Sequence, residues 1–323
     1  MINLRYHIVS ITAVFLALGI GIAMGSSFLG TALSDQVQRN IEDKRQEAAE
    51  ARAERDELRS QLDRARGRDD DLMEQGAELL FREQLREVPV VVVTVGGVDD
   101  ESLDTLRTAL EGSQATFEGT ITVRDKVVDE GAAEELADIL GVEGATGAAL
   151  QAALVDAVAT EMVDHGAEEN GGSPGDPRVP DVTRALVDAG YFDYEAAPGG
   201  REAETLLASD GYRYVIVTGP QPDVPDLSFL LPLVQAMATD DPAPVVVATA
   251  ATGDDPVEVE ETRTQALAPL REDDDVNGRI TTVDDLETFE GVAAVVFGLE
   301  DLSRNRRGHY GVGDGSESLL PER

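Results

Sequence analysis

The sequence contains no cysteine and no tryptophan, and only 4% of its 323 residues are aromatic. Without thiols the chain can form no disulfide, carry no thiolate nucleophile and hold no zinc knuckle or iron–sulfur cluster. A globular domain of this chain must therefore rely on a packed apolar core. The small aromatic share predicts that Val, Leu and Ala fill that core.

Basic residues and histidines are also scarce. Lys and Arg together number 26 against 64 Asp and Glu, which gives a formal net charge of -38. A field of this sign repels phosphate backbones, so we expect no nucleic-acid partner. Hydrolytic catalysis needs a positioned base, and the only histidines are His7, His165 and His309, scattered along the chain. We therefore predict no catalytic residues and no enzymatic activity.

An apolar stretch without formal charge lies near the amino terminus, between Arg5 and Asp35. A helix that rises about 1.5 Å per residue needs about 20 such residues to cross a bilayer, and the stretch is longer than that. It is also longer than the apolar part of a secretory signal, which usually has about 7 to 15 residues. The sequence predicts a cytoplasmic tail over 1–6 and a retained transmembrane anchor over 7–30. A cleaved signal peptide is the alternative.

The orientation of this anchor is a separate prediction. Arg5 precedes the anchor, whereas four basic residues follow it: Arg39, Lys44, Arg45 and Arg52. A count of basic residues alone would therefore place the chain after the anchor in the cytoplasm. A short positive start followed by an apolar run is nevertheless typical of export signals, and long domains translocate largely regardless of charge. We expect the tail on the cytoplasmic side of the cytoplasmic membrane and most of the chain on its outer side.

Two patterns in the amino-terminal part predict a homodimer. Ala17, Gly21 and Gly25 recur every four residues and would form a small-residue stripe that lets two anchors approach closely. From Val37 onward, residues at alternating spacings of three and four form a heptad seam, and most residues between them are charged. This pattern predicts a parallel coiled coil over 34–86. The leucines of this seam that we assign to the dimer interface are Leu58, Leu62 and Leu72. A single long solvated helix is the alternative.

The periodicity changes at Pro89, after which Val90 to Val95 form a β-branched run closed by two glycines. Further apolar runs alternate with amphipathic helical patterns. This alternation predicts an α/β globular domain over 88–303 with a mostly parallel sheet covered on both faces. The strand candidates are 90–95, 115–123, 212–219, 243–250, 278–283 and 292–299, and the helix candidates are 99–112, 147–163, 180–190 and 226–241.

The glycine pair after the first strand candidate stands where α/β folds bind phosphates. It lacks the rest of the G-x-G-x-x-G pattern and any lysine, and the carboxylates of Asp99 and Asp100 would repel a phosphate. We interpret one of these two aspartates as the cap of the following helix.

Two groups of residues resemble metal ligands. The stretch "DDDVNGRITTVD" matches the spacing of a calcium loop at Asp273, Asp275, Asn277 and Asp284, although "RITTV" reads as a strand, which argues against such a loop. For copper, Met162 and His165 lie three apart on a predicted helix, and His309 is the remaining candidate ligand. Copper and calcium are the two ions that we consider. The alternative for the calcium-like stretch is a turn that leads into a strand, and the alternative for Met162 and His165 is core and surface packing.

The carboxyl-terminal tail, 304–323, contains glycines at 308, 311, 313 and 315 around His309 and Tyr310, a pattern that predicts neither a helix nor a regular strand. Together with the opening "MINLRYHIVSITAVFLALGIGIAMG", the charged coiled coil and "ITTVDDLETFEGVAAVVFGL", this tail resembles the actinobacterial copper transporter family named after mycobacterial copper transport protein B. The likeness covers nearly the whole chain in order.

The resemblance implies one of two roles. The family is named for copper homeostasis, which implies copper handling at the cell envelope. Related actinobacterial members resemble coiled-coil membrane partners in cell separation, which implies a scaffold that binds a partner protein and regulates peptidoglycan hydrolysis. One apolar membrane helix cannot by itself form a polar conduit, which favours an anchored scaffold over a channel.

Overall fold

The structure is a computed structural model that describes residues 4–166, 181–200, 206, 211–239, 242–251, 261 and 266–322, without the side chains at 4–5, 25–43, 63, 65–66 and 68–79. The chain divides into two units, Met1–Gly67 and Arg68–Arg323.

The first unit consists of helix. Helix α1 runs from Leu4 to Leu80. Its segment Tyr6–Met24 has a mean hydropathy of 2.1 and is long and apolar enough to cross a membrane. The described side chains of this segment are exposed, as are those of Leu58 and Leu62. Gly25 and Leu72 lie in the helix, but their side chains fall outside the described residues.

The second unit is built on one seven-stranded sheet with the strand order β3-β2-β1-β4-β5-β6-β7. All neighbouring strands are parallel except β3, which pairs antiparallel with β2. The strands are β1 Pro89–Thr94, β2 Thr116–Val123, β3 Phe192–Ala196, β4 Arg213–Thr218, β5 Val245–Thr249, β6 Thr281–Val283 and β7 His309–Tyr310. The predicted α/β class with a mostly parallel sheet is confirmed.

Six helices with described bounds flank this sheet: α2 Asp100–Gly112, α3 Ala133–Leu140, α4 Gly147–Gly166, α5 Val182–Asp188, α6 Leu230–Met237 and α7 Phe289–Ser303. A further helical stretch covers 266–271. Alternate residues of each central strand face opposite layers. In β1, Val91 and Val93 belong to the core beneath α3 to α6, whereas Val90 and Val92 belong to the core beneath α2 and α7.

The second core begins before the sheet, immediately after α1. The helix ends at Leu80, before Pro89, and the next residue, Phe81, is fully buried. Its ring stacks 6.0 Å from that of Phe289 and meets the ring of Phe297 edge-on at 5.8 Å. Leu85 is buried in the same core. Aromatic pairs at these distances stabilise packing beyond the area they bury, so Phe81 is held firmly against α7.

Three sequence predictions need correction. The run 292–299, predicted as a strand, lies inside helix α7, which Thr288 caps by accepting the N–H of Gly291 at 3.0 Å. This helix is buried around most of its circumference, and a short apolar run does not distinguish a buried helix from a buried strand. The tail was predicted to contain no regular strand, but His309–Tyr310 forms β7. Strand β3 was not predicted, because its edge position leaves most of its residues exposed.

Candidate functional site

The crevice where open α/β sheets bind ligands lies at the carboxyl ends of β1 and β4, where the strand order reverses. Here the chain itself occupies that position. The N–H groups of Asp223 and Val224, from the loop after β4, donate to the carbonyl of Val95 at 2.9 and 3.3 Å. A Cβ on Gly97 would come within 2.6 Å of the Gln221 backbone, so the two loops are in direct contact.

The helix after the glycine pair has a capped start. Asp99 is the N-cap of α2, and its carboxylate accepts the backbone N–H and the hydroxyl of Ser102, each at 2.9 Å. The predicted cap is confirmed. An acidic cap at this position satisfies one of the orphan N–H groups of the helix and places a negative charge where a phosphate would bind.

Arg271 and Asp284 of the second unit form a buried ion pair. We call this pair, together with the tail residues that bind it, the Arg271–Asp284 clasp. The two side chains are 3% and 0% exposed, and Nη1 of the arginine lies 2.8 Å from Oδ2 of the aspartate. Arg271 stands in the helical stretch before β6, and Asp284 directly follows β6. A buried pair is tolerated only when further hydrogen bonds satisfy both groups.

The glycine-rich tail supplies those hydrogen bonds. The N–H groups of Val312 and Gly313 donate to Oδ1 of Asp284 at 2.8 and 3.0 Å. Arg271 in turn donates to the carbonyls of Tyr310 and Asp314 at 3.1 and 2.8 Å. Gly311 has a φ of +122°, and a Cβ on it would overlap the Asp284 carboxylate, so only glycine fits there. The tail glycines are thus explained by the close approach of backbone to a buried charge.

His309 extends the same network. Thr282 Oγ1 accepts Arg271 Nε–H at 2.9 Å and lies 2.9 Å from Nδ1 of His309, to which its own hydrogen can be donated. Burial lowers the pKa of His309, and the charge of Arg271 lowers it further, against the opposing charge of Glu317. His309 is therefore a buried residue of β7 whose charged form is disfavoured.

The four residues of the calcium-like spacing do not form one site. Asp284 is engaged in the clasp, Asp273 accepts the N–H of Asp275 at 3.0 Å, and Asn277 opens a short 3-10 turn that leads into β6. Across the part of the chain that the structure describes, no three or more His, Cys, Asp or Glu side chains form a group able to hold a metal ion.

The three candidate copper ligands are not brought together either. Met162 is buried in the core, beside Val93 of β1 and Tyr214 of β4. His165 lies at the end of the same helix, where its carbonyl accepts the N–H of Tyr212 at 3.0 Å. His309 is in β7, and β5 and β6 lie between it and β4. Three strand spacings of about 4.8 Å, about 14 Å in all, separate β7 from β4.

Those residues predicted for dimer contact whose side chains the structure describes are exposed on the surface of α1. A Cβ added at Gly21 would meet no atom within 4 Å, and Leu58 and Leu62 are 58% and 49% exposed. The structure contains a single chain, so the dimer stays a prediction.

These features define a class: an α/β protein with one amino-terminal helix able to span a membrane and a carboxyl-terminal tail clasped around a buried ion pair. The chain belongs to the family described as copper transport outer membrane protein, MctB, which matches residues 1–321. The copper transporters MctB of Mycobacterium bovis and Mycobacterium tuberculosis are each 26% identical over 334 residues, with 99% of both chains covered. That of Mycobacterium leprae is 25% identical over 337 residues, again with 99% of both covered. The resemblance drawn from the sequence is confirmed.

Sequence reasoning missed Arg271, the partner of Asp284. The signal for it was indirect: four glycines in a short tail indicate a close approach to something buried, and Asp284 stands beside a β-branched strand. Nothing in the spacing of Arg271 and Asp284 identified the pair, because the contact depends on how β6 and β7 align.

Proposed function

We propose that this chain acts in copper homeostasis at the cell envelope as a membrane-anchored protein. The observation that carries the proposal is the full-length match of residues 1–321 to a family described as copper transport. Mycobacterial relatives named copper transporter are covered over 99% of their length. The match includes the apolar helix, the sheet and the clasped tail, so the proposal concerns the whole architecture and not one domain.

In this proposal the segment Tyr6–Met24 is a retained anchor in the cytoplasmic membrane, with residues 1–6 inside and the second unit outside. The apolar composition of the segment supports the anchor, since exposed side chains of this kind are stable in lipid and not in water. Two copies pair through the stripe of Ala17, Gly21 and Gly25, and the heptad seam continues the pairing above the membrane.

Copper is the cargo in this proposal, and the chain contributes to copper transport by assembling with further copies or with other envelope proteins. A single apolar helix satisfies its backbone internally and offers an ion no polar path. A copper route therefore requires several helices or further envelope proteins. We assign the second unit the role of a binding surface for such proteins, because its ligand crevice is filled by the loop that contains Gln221 and Asp223.

Deletion of the encoding gene tests the proposal. We expect the deletion strain to change its copper content per cell and its growth in added copper, and the full-length chain to restore both. A chain with Leu16→Arg, which weakens the anchor, should restore neither, whereas the matched surface variant Leu227→Arg should restore both. Normal copper content combined with unseparated cells would overturn copper homeostasis in favour of a role in cell separation.

A further inference from the structure

Another buried carboxylate, separate from the clasp, lies in helix α4, on the side of the sheet where the helical stretch before Arg271 also packs. Glu161 is on the inner side of α4 and only 3% exposed. Its Oε2 accepts the backbone N–H of Thr183 at 2.8 Å and the hydroxyl of the same residue at 2.6 Å. Thr183 is in the first turn of α5, so Glu161 satisfies an orphan N–H group of that helix from another helix. This carboxylate joins α4 to α5.

Among the residues that the structure describes, the other groups packed around Glu161 include no positively charged partner. On α5, Asp181 caps the helix and adds a like charge, and its ion-pair contact to Arg184 is 3.8 Å long. On β4, Tyr214 is fully buried, and its hydroxyl is among the buried polar atoms without a hydrogen bond. Helix α6, which also packs on α4, contains no titratable residue.

Two further sets of titratable groups lie near this position. His165 is one turn further along α4, where its carbonyl accepts the N–H of Tyr212. The carboxylates of α3 line an open groove with Ala185 and Asp188 of α5. The groove lining does not include Glu161, so the buried carboxylate is separate from that acidic surface.

We propose that Glu161 is a protonation-controlled latch between α4 and α5. With its carboxyl group neutral, the buried contact to Thr183 is stable and α5 stays packed on α4. With the group charged, an anion without a cationic partner is enclosed in an apolar core, which favours opening of α5 and access of water to the carboxylate. The latch depends only on α4, α5 and β4 and not on the proposed function in copper handling.

The direction and size of the effect follow from linkage. Burial raises the pKa of Glu161 from 4.5 to about 7, an effect that the hydrogen bonds from Thr183 only partly offset. A raised carboxyl pKa stabilises the closed form at pH values below 4.5, and this contribution is lost as the pH rises through about 7. If the opened form has the ordinary pKa, the equilibrium constant for opening rises about 30-fold between about pH 5.5 and 8.5.

Hydrogen exchange of the α5 amides in the full-length chain tests the latch. We expect the protection factors of Leu186 and Val187, corrected for intrinsic exchange, to fall about 30-fold from about pH 5.5 to 8.5. Glu161→Gln keeps an oxygen acceptor for Thr183 without a charge, so its protection factors should stay constant over this range. Glu143→Gln removes an exposed carboxylate and His165→Asn the neighbouring imidazole, and both should follow the wild type.

A second variant covers the case in which Glu161→Gln fails to fold. Thr183→Val removes the hydroxyl donor and keeps the side-chain shape, which raises the pKa of Glu161 further and moves the loss of protection to higher pH. Constant protection in the wild type, an equal fall in Glu161→Gln, or an unchanged midpoint in Thr183→Val would each overturn the proposal.

Discussion

The apolar side chains of the two units have opposite surroundings. Val90 and Val91 of β1 are 0% exposed because helices of the same unit cover both faces of the sheet, whereas Ile8 and Phe15 of α1 are 58% and 69% exposed. Residues of similar chemistry are thus buried by the chain in one unit and left uncovered in the other. A continuous exposed apolar surface of this size marks contact with a membrane or a partner, whereas the apolar residues of the second unit are covered by its own packing.

The largest expected effect is on the second unit. Asp284→Ala leaves the Arg271 guanidinium buried without its partner and removes the acceptor of two tail N–H groups. We expect a loss of about 3–5 kcal/mol in the free energy of unfolding, measured by urea denaturation of the full chain in detergent.

The matched control is an exposed ion pair. Arg107 contacts Asp104 at 2.9 Å with side chains that are 44% and 65% exposed, so Arg107→Ala should cost at most about 1 kcal/mol. Equal losses in Asp284→Ala and Arg107→Ala would contradict the structural importance of the clasp.

The next effect concerns the first unit and leaves the sheet intact. Leu16→Arg places a charge near the middle of the segment Tyr6–Met24, which costs about 2.5–3.5 kcal/mol for insertion into a bilayer. We expect a smaller fraction of the protein in the membrane pellet after alkaline wash. Leu227→Arg, at an exposed leucine of the second unit, should pellet like the wild type. If Leu16→Arg also pellets fully, the anchor lies elsewhere.

A smaller effect is expected at the start of α2. Asp99→Ala removes the acceptor of the Ser102 N–H and should reduce the free energy of unfolding by about 1 kcal/mol, measured in the same urea assay. Asp100→Ala keeps the cap and removes only a charge in the first helical turn, so its loss should be smaller. The reverse order would show that the dipole and not the cap stabilises this helix.

The two units also differ in how far the sequence predicts them. The valine run of β1 and the alternation of strands and helices predicted a mostly parallel sheet, because fully buried strands are continuous apolar runs. The same rule failed at 292–299, since a helix buried on most sides has the same apolar composition. Local patterns thus define strands and caps but not the layer in which an apolar run is buried.

The clasp shows the corresponding limit for a candidate site. The tail glycines predicted that something specific is held there, and Asp284 was singled out as a ligand of a cation. The cation is a guanidinium from the same chain, 2.8 Å away. Pairing of Thr282 with His309 and of Val283 with Tyr310 brings the tail to Asp284. The sequence of neither segment alone predicts this long-range register.

The substitutions with the smallest expected effect on stability test whether two copies of α1 pair along the predicted heptad seam. The chain has no cysteine, so a single introduced thiol reports contact between two copies without background. Ala51 is on the predicted heptad seam and Ala53 is not, and both are exposed in α1. In membranes under oxidising conditions, we expect Ala51→Cys to form a disulfide-linked dimer and Ala53→Cys to form far less, with both changing the free energy of unfolding of the second unit by less than about 0.5 kcal/mol. Equal cross-linking at the two positions would favour a single solvated helix, because a paired seam brings only one face of α1 into contact.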